Sequence, residues 1–213
     1  MSDTTQWMNK AAQYELLALA FTYPTEDLVQ ALVDGEYADA FEEVGTLNSM
    51  DPEQLDGCAK SLRAYDGLDQ DEVLHRLRRE HTRLFIGQGK TLVSPYAGIW
   101  DALEKGKEPF FMIGKESMDI ERFMRRCGIG QPEGTNEPLD HIASLLEFLY
   151  FLCLVKVDAV KPADHADIKE NDYQAFFDGH FAKFVPVFAN AVLENTQEPL
   201  FASSAYMLLD LKR

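Results

Sequence analysis

The sequence predicts an all-α fold, and three observations carry that prediction. Apolar residues recur at steps of three and four along almost the whole chain. Helix-start signals stand directly in front of those runs. No alternating strand pattern of useful length and no internal repeat interrupts them. At 213 residues and 46% hydrophobic composition, the chain can bury a core as one domain over residues 1–213. The expectation is a single-domain helical bundle of roughly nine to eleven helices.

The first helix is read over Trp7 to Phe21, with Trp7, Met8, Ala11, Ala12, Leu16, Leu19 and Ala20 as its apolar set, and Pro24 ends it. Thr25 is an N-cap for a short helix carrying Leu28, Val29 and Leu32. A third helix runs from Glu36 to Leu47 with Tyr37, Phe41 and Val44 on one face. Asp51-Pro52 supplies an N-cap and a proline at the first helical position, opening a helix with Leu55, Cys58, Ala59 and Leu62. Asp69 to Glu72 has capping-box spacing and starts a helix through Val73, Leu74, Leu77, Leu84 and Phe85.

Glycine and proline then stop the pattern between Ile86 and Pro95. A short helix follows from Tyr96 to Leu103, and Gly106 to Gly114 is irregular. Lys115 to Cys127 is the next helix, with Met118, Phe123, Met124 and Cys127 inward and Gly128 as its stop. After a loop to Asn136, Glu137-Pro138 opens the strongest helix, buried through Ile142, Leu145, Leu146, Leu149, Leu152 and Cys153. The last helices lie near Asp172 to Asn195, where Pro186 should kink or break the run, and near Glu198 to Leu211.

The bulk properties exclude several classes of function. A formal net charge of −16 repels nucleic acid and attracts a basic peptide or a basic protein patch. Three widely spaced cysteines fit neither a disulfide framework nor a cysteine-based zinc site, so no metal is expected. The N-terminus lacks the basic start and apolar stretch of a secretory signal. The longest apolar run, Leu145 to Val157, holds Glu147 and Lys156 and is too short for a membrane span. A cytoplasmic protein without stable membrane insertion is expected.

The catalytic motifs are absent or incomplete. Gly87-Gln88-Gly89-Lys90-Thr91 has the wrong spacing for a phosphate loop, and no strand precedes it. The one Glu-x-x-His, Glu72 to His75, has no second copy to complete a di-iron site. Asp140-His141 stands at a helix start, where Asp140 reads first as a helix-dipole and capping residue and His141 as a partly buried polar one. Two alternatives stay open: a metal- or nucleotide-dependent hydrolase using Asp140, His141 and a distant histidine, and a helical oligomerisation scaffold.

Two stretches carry more. One runs Glu80-His81-Thr82-Arg83-Leu84-Phe85-Ile86-Gly87 and then Val93-Ser94-Pro95-Tyr96-Ala97-Gly98-Ile99-Trp100. The other is Glu137-Pro138-Leu139-Asp140-His141, followed by Leu146-Glu147-Phe148-Leu149. Together they resemble the signature regions of the TorD/DmsD/NarJ-type family of redox-enzyme maturation chaperones. A weaker third match, His180-Phe181-Ala182-Lys183-Phe184-Val185-Pro186-Val187-Phe188, resembles the family's His-Leu-x-x-Trp-x-Pro-x-Phe segment, with phenylalanine in place of its leucine and tryptophan.

The resemblance implies an all-α, non-enzymatic chaperone with no resident cofactor. Its partners would be the twin-arginine leader peptide and the catalytic subunit of a molybdoenzyme, held from export until its cofactor is inserted. Some relatives are linked to guanine nucleotides, but the residues here outline no site for one. Monomer and homodimer both remain open. The resemblance also implies a pocket where the Leu84-Phe85 helix end, the Pro95-Tyr96 loop and the Glu137–His141 helix start converge. Its apolar wall would be Leu84, Phe85, Tyr96, Trp100 and Pro138, and its polar part Glu80, Asp140 and His141. The chemistry suits arginine, which pairs bidentately with carboxylates and stacks on aromatic rings.

Overall fold

The computed structural model describes residues 3–87, 91–106, 114–131 and 138–211. Among these the regular structure is helical, with one isolated bridge between Tyr96 and His141. The chain groups into two compact units. One takes Met1–Glu15 and Pro95–Val187, the other Leu16–Ser94 and Phe188–Lys212.

The second unit is built from helices whose starts were legible in sequence. Thr25 accepts the Leu28 amide to cap α2 (Glu26–Val33), and Asp51 accepts that of Gln54 to cap α4 (Pro52–Leu62). Asp69 accepts the Glu72 amide at 2.9 Å to cap α5 (Gln70–His81). Between α2 and α4, α3 (Glu36–Leu47) lies so close to α4 that a Cβ on Gly45 would sit 2.4 Å from a Leu55 methyl. A side chain at position 45 would therefore have to displace the Leu55 methyl groups.

Beyond α5 the helix continues for one wider π turn, Thr82–Ile86, closed by the Gly87 amide on the Thr82 carbonyl at 2.8 Å. The extra residue rotates the helix so that His81, Leu84 and Phe85 all face inward. Phe85 packs edge-on against Phe21 and Phe201 and stacks on Phe188. Burying one such ring stabilises the unit by about 1.5–3 kcal/mol. The helix α11 (Pro199–Asp210) closes this unit, and the buried Tyr65 hydroxyl ties its start by accepting the Leu200 amide and donating to Glu198.

The first unit contains α6 (Ala97–Glu104), α7 (Lys115–Arg126) and α8 (Ile142–Lys156). It also holds a long helix made of α9 (Asp172–Phe176), a π turn (Phe177–Phe181) and the first part of α10 (Ala182–Asn195). Arg126, at the end of α7, pairs bidentately with the buried Asp172 at 2.8 and 2.9 Å, fixing where this long helix begins. Phe123, Phe148 and Phe176 form an edge-to-face cluster between three of these helices.

Several sequence expectations are corrected in detail. The first helix, α1, starts at Asp3 and extends to Phe21. Met8 and Leu19 are exposed on it, because the larger set Tyr14, Leu17, Ala18 and Phe21 takes the inward face. Met118 likewise points outward while Ile120, Met124 and Cys127 are buried. The helix expected to open at Glu137-Pro138 opens at Ile142 instead, because residues 138–141 form a turn and a bridge. Pro186 does not break its helix: it sits inside α10, one turn after the π turn. The irregular stretch holding Pro109, Phe110 and Phe111, most of the glycine-rich loop 88–90, and Glu137 lie outside the described residues.

Candidate functional site

The two signature segments of the first unit are joined by backbone. Ile142 donates its amide to the Pro95 carbonyl at 2.8 Å, and Ala97 donates to the Asp140 carbonyl at 3.0 Å. Side-chain bonds extend the seam. The Asp140 Oδ2 accepts the Gly98 amide at 2.9 Å and the Ser117 hydroxyl at 2.7 Å. A single carboxylate thus ties the first turn of α6 and the first turn of α7 to the residues that lead into α8. The fit is tight, since a Cβ on Gly98 would lie 2.1 Å from the Ser117 Oγ and 3.0 Å from the Asp140 Oδ2.

Asp140 is only 1% exposed, and its Oδ1 is buried without a hydrogen-bond partner among the described residues. Burial raises its pKa above the usual carboxylate range, opposed by the bonds from Gly98 and Ser117. His141 is the N-cap of α8: its Nδ1 accepts the Ala143 amide at 3.2 Å, and its ring stands edge-on to Tyr96 at 5.4 Å. Burial lowers its pKa to about 4, which keeps the ring neutral. Neither residue presents a free ligand pair, and among the described residues no three His, Cys, Asp or Glu side chains converge as a metal site would require.

Beside this seam lies a groove of ≈ 430 Å³ between α6, the start of α7 and the start of α10. Trp100, Leu103, Phe184 and Val187 make its apolar floor, and Leu103 and Val187 are each almost half exposed. Asp101, Glu104 and Glu116 stand along it as an acidic rim. Glu116 meets His180 Nδ1 at 2.6 Å, and Lys183 lies on the facing wall. Such a groove can seat an apolar segment while pairing adjacent cations with carboxylates.

The structure sorts the candidate residues. Tyr96, Trp100, Pro138, Asp140 and His141 belong to the first unit, and Trp100 lines the groove. Glu80, Leu84 and Phe85 belong to the second unit. Leu84 and Phe85 are buried core residues there. Glu80 accepts two bonds from Arg83 at 2.7 Å and one from Thr196 at 2.6 Å, and the Arg83 bonds chiefly hold its pKa down. Glu116, His180 and Phe184 were missed as site residues. The segment containing His180 and Phe184 was legible as a motif, but spacing alone did not show that its π turn would place His180 beside a carboxylate 64 positions away in sequence.

A family model described as nitrate reductase delta subunit matches residues 48–190. A TorD chaperone protein of Shewanella sp. (strain ANA-3) is 26% identical over 152 residues, covering 71% of this chain and 70% of the relative. The TorD chaperone protein of Shewanella oneidensis is 24% identical over 177 residues, covering 83% and 75%. The fold is similar to the crystal structure of a protein assigned as a redox enzyme maturation protein of Archaeoglobus fulgidus, with a TM-score of 0.54 at 21% identity over 92% of this chain and 91% of the other.

Proposed function

The chain belongs to the nitrate reductase delta subunit family and is a TorD-like maturation chaperone rather than an enzyme; from that premise we propose that its groove receives the twin-arginine leader peptide of a molybdenum-containing oxidoreductase subunit. The carrying observation is the groove itself, in which exposed Leu103 and Val187, beside the partly accessible Trp100, abut Asp101, Glu104 and Glu116. Paired arginines supply two planar cations and the leader supplies an apolar stretch, and both halves have a matching surface. The net charge of −16 speeds encounter with a basic leader over a longer range.

In this reading Trp100 is a direct apolar contact, and Tyr96 and Pro138 extend the surface from the adjoining turn. Asp140 and His141 hold the seam that sets the distance between α6 and α7, so Asp140 is a positioning residue. Glu80, Leu84 and Phe85 maintain the second unit. The chaperone acts in the cytoplasm, keeping its client from export until the cofactor is in place. Among the described residues no helix is long and apolar enough to cross a membrane.

Calorimetric titration with a twin-arginine leader peptide and with its Lys-Lys version tests the proposal. The arginine peptide should bind and the lysine version should bind more weakly, because lysine cannot make the bidentate pair. Absence of binding by both overturns it.

A further inference from the structure

The second unit carries a surface whose charge runs against the rest of the chain. Acidic residues number 36 against 20 basic ones. Arg63, Arg76, Arg83, Arg122, Arg125 and Arg126 each pair with a carboxylate. Among the described residues, Arg78 and Arg79 are the arginines that do not. They are consecutive in α5 and both line one open depression of ≈ 790 Å³, together with Tyr23, Glu72, His75 and Thr82. In a chain so rich in carboxylates, two neighbouring guanidinium groups without a carboxylate partner among the described residues leave pairing capacity for an external anion.

The depression is also partly pre-organised. Arg78 donates from Nε to the Pro24 carbonyl at 3.0 Å and its guanidinium lies 5.3 Å from the Tyr23 ring centre, so its head is held in place before any ligand arrives. Tyr23 is half exposed, which leaves an apolar face at the edge of the cationic surface. Arg79 and His75 are exposed and stand one helical turn apart on the same face. Glu72 is the one acid lining the depression, so the local balance is positive while the molecule is strongly negative.

We propose that this face of α5 is a second docking surface, which takes a short acidic peptide segment of a partner protein with an aromatic or aliphatic residue laid on Tyr23. Three observations favour that occupant. The donors are all side chains and stand away from any helix N-terminus, so no backbone amides converge as they do around a bound phosphate. The depression is open along the helix, as a peptide laid across it needs. A long polyanion such as nucleic acid is repelled by the overall charge, whereas a short segment feels mainly the local cations within a Debye length. Arginine and tyrosine are also the residue types that dominate binding energy at protein interfaces.

The test uses the full chain, ¹⁵N-labelled and followed by NMR. Three probes are titrated: a capped Asp-Glu-Phe-Glu-Asp peptide, its Asn-Gln-Phe-Gln-Asn counterpart, and inorganic pyrophosphate. The acidic peptide should shift the amides of α5 around His75 to Thr82 and of Tyr23, and the amide counterpart should not. Arg79→Gln should weaken the acidic peptide about tenfold, the scale of one charge-assisted pair, with the remaining spectrum unchanged. Lys60→Gln, an equal loss of charge elsewhere, should not weaken it. Shifts confined to other surfaces, equal binding by Arg79→Gln and the parent chain, or binding of pyrophosphate alone would each overturn the proposal. Because no probe carries arginine, failure here leaves the leader-peptide reading standing, and failure of that reading leaves this one standing.

Discussion

Asp140 holds the backbone amide of Gly98 at 2.9 Å, and through this bond the residue that leads into α8 fixes the start of α6. The same oxygen also holds Ser117. The carboxylate therefore acts inside the protein, and two substitutions separate its shape from its charge. Asp140→Asn keeps an oxygen able to accept both bonds and places its amide nitrogen where Oδ1 has no partner now. Asp140→Ala removes the carboxylate that accepts from the Gly98 amide and the Ser117 hydroxyl. Alanine should cost about 2–4 kcal/mol in denaturant unfolding, and asparagine much less. Leader-peptide binding should survive asparagine and weaken with alanine. Equal loss in both variants would make Asp140 a charge contact instead.

Gly98 tests the same seam from the other side. A methyl group at this position overlaps the Ser117 hydroxyl, so Gly98→Ala should destabilise the protein by about 1–3 kcal/mol, the usual cost of overpacking. Removing the hydroxyl in Gly98→Ala/Ser117→Ala relieves the overlap with Oγ, so the double variant should lose less than the two single losses added together. A double-mutant cycle by thermal or urea unfolding reads the coupling, and strict additivity would show that the two residues do not meet.

The helices were legible because their signals are local. Thr25, Asp51 and Asp69 each accept the amide three residues on, as their sequence positions imply. The Asp140 region misled because the decisive partner is distant. Pro138 and Asp140 look like a first helical turn, yet pairing with Pro95 and Ala97 holds residues 138–141 out of helix. The same blindness applied to Glu116 and His180, whose contact depends on a π turn that periodicity does not reveal. Leu84 and Phe85 formed a recognisable motif, but an apolar motif does not distinguish a ligand wall from a core, and both are buried.

His141 predicts a dependence of stability on pH. Burial lowers its folded pKa to about 4 from an ordinary value of 6.5. The unfolded chain therefore binds this proton more readily than the folded one between those values. The contribution is fully present above pH 6.5 and is lost as pH falls toward about 4. His141→Asn retains a capping oxygen for the Ala143 amide and removes the titration. Urea midpoints measured across this window should fall more steeply with acid in the parent than in the variant. Parallel curves would show that His141 titrates normally in the folded protein.

The groove makes separable demands on its ligand, and Trp100 and Glu116 divide them. Trp100→Ala removes apolar floor and should weaken leader peptides with Arg-Arg and Lys-Lys alike, by about 1–2 kcal/mol. Glu116→Gln removes a carboxylate that an incoming guanidinium could share with His180, so it should weaken the Arg-Arg peptide more than the Lys-Lys one. His180→Ala frees that carboxylate from its internal partner and should strengthen the Arg-Arg peptide. Calorimetry on the three variants gives the ranking directly. If Glu116→Gln and His180→Ala moved the affinity in the same direction, the carboxylate and the imidazole would be acting as one structural unit, and the arginine contact would have to be placed at Asp101 or Glu104.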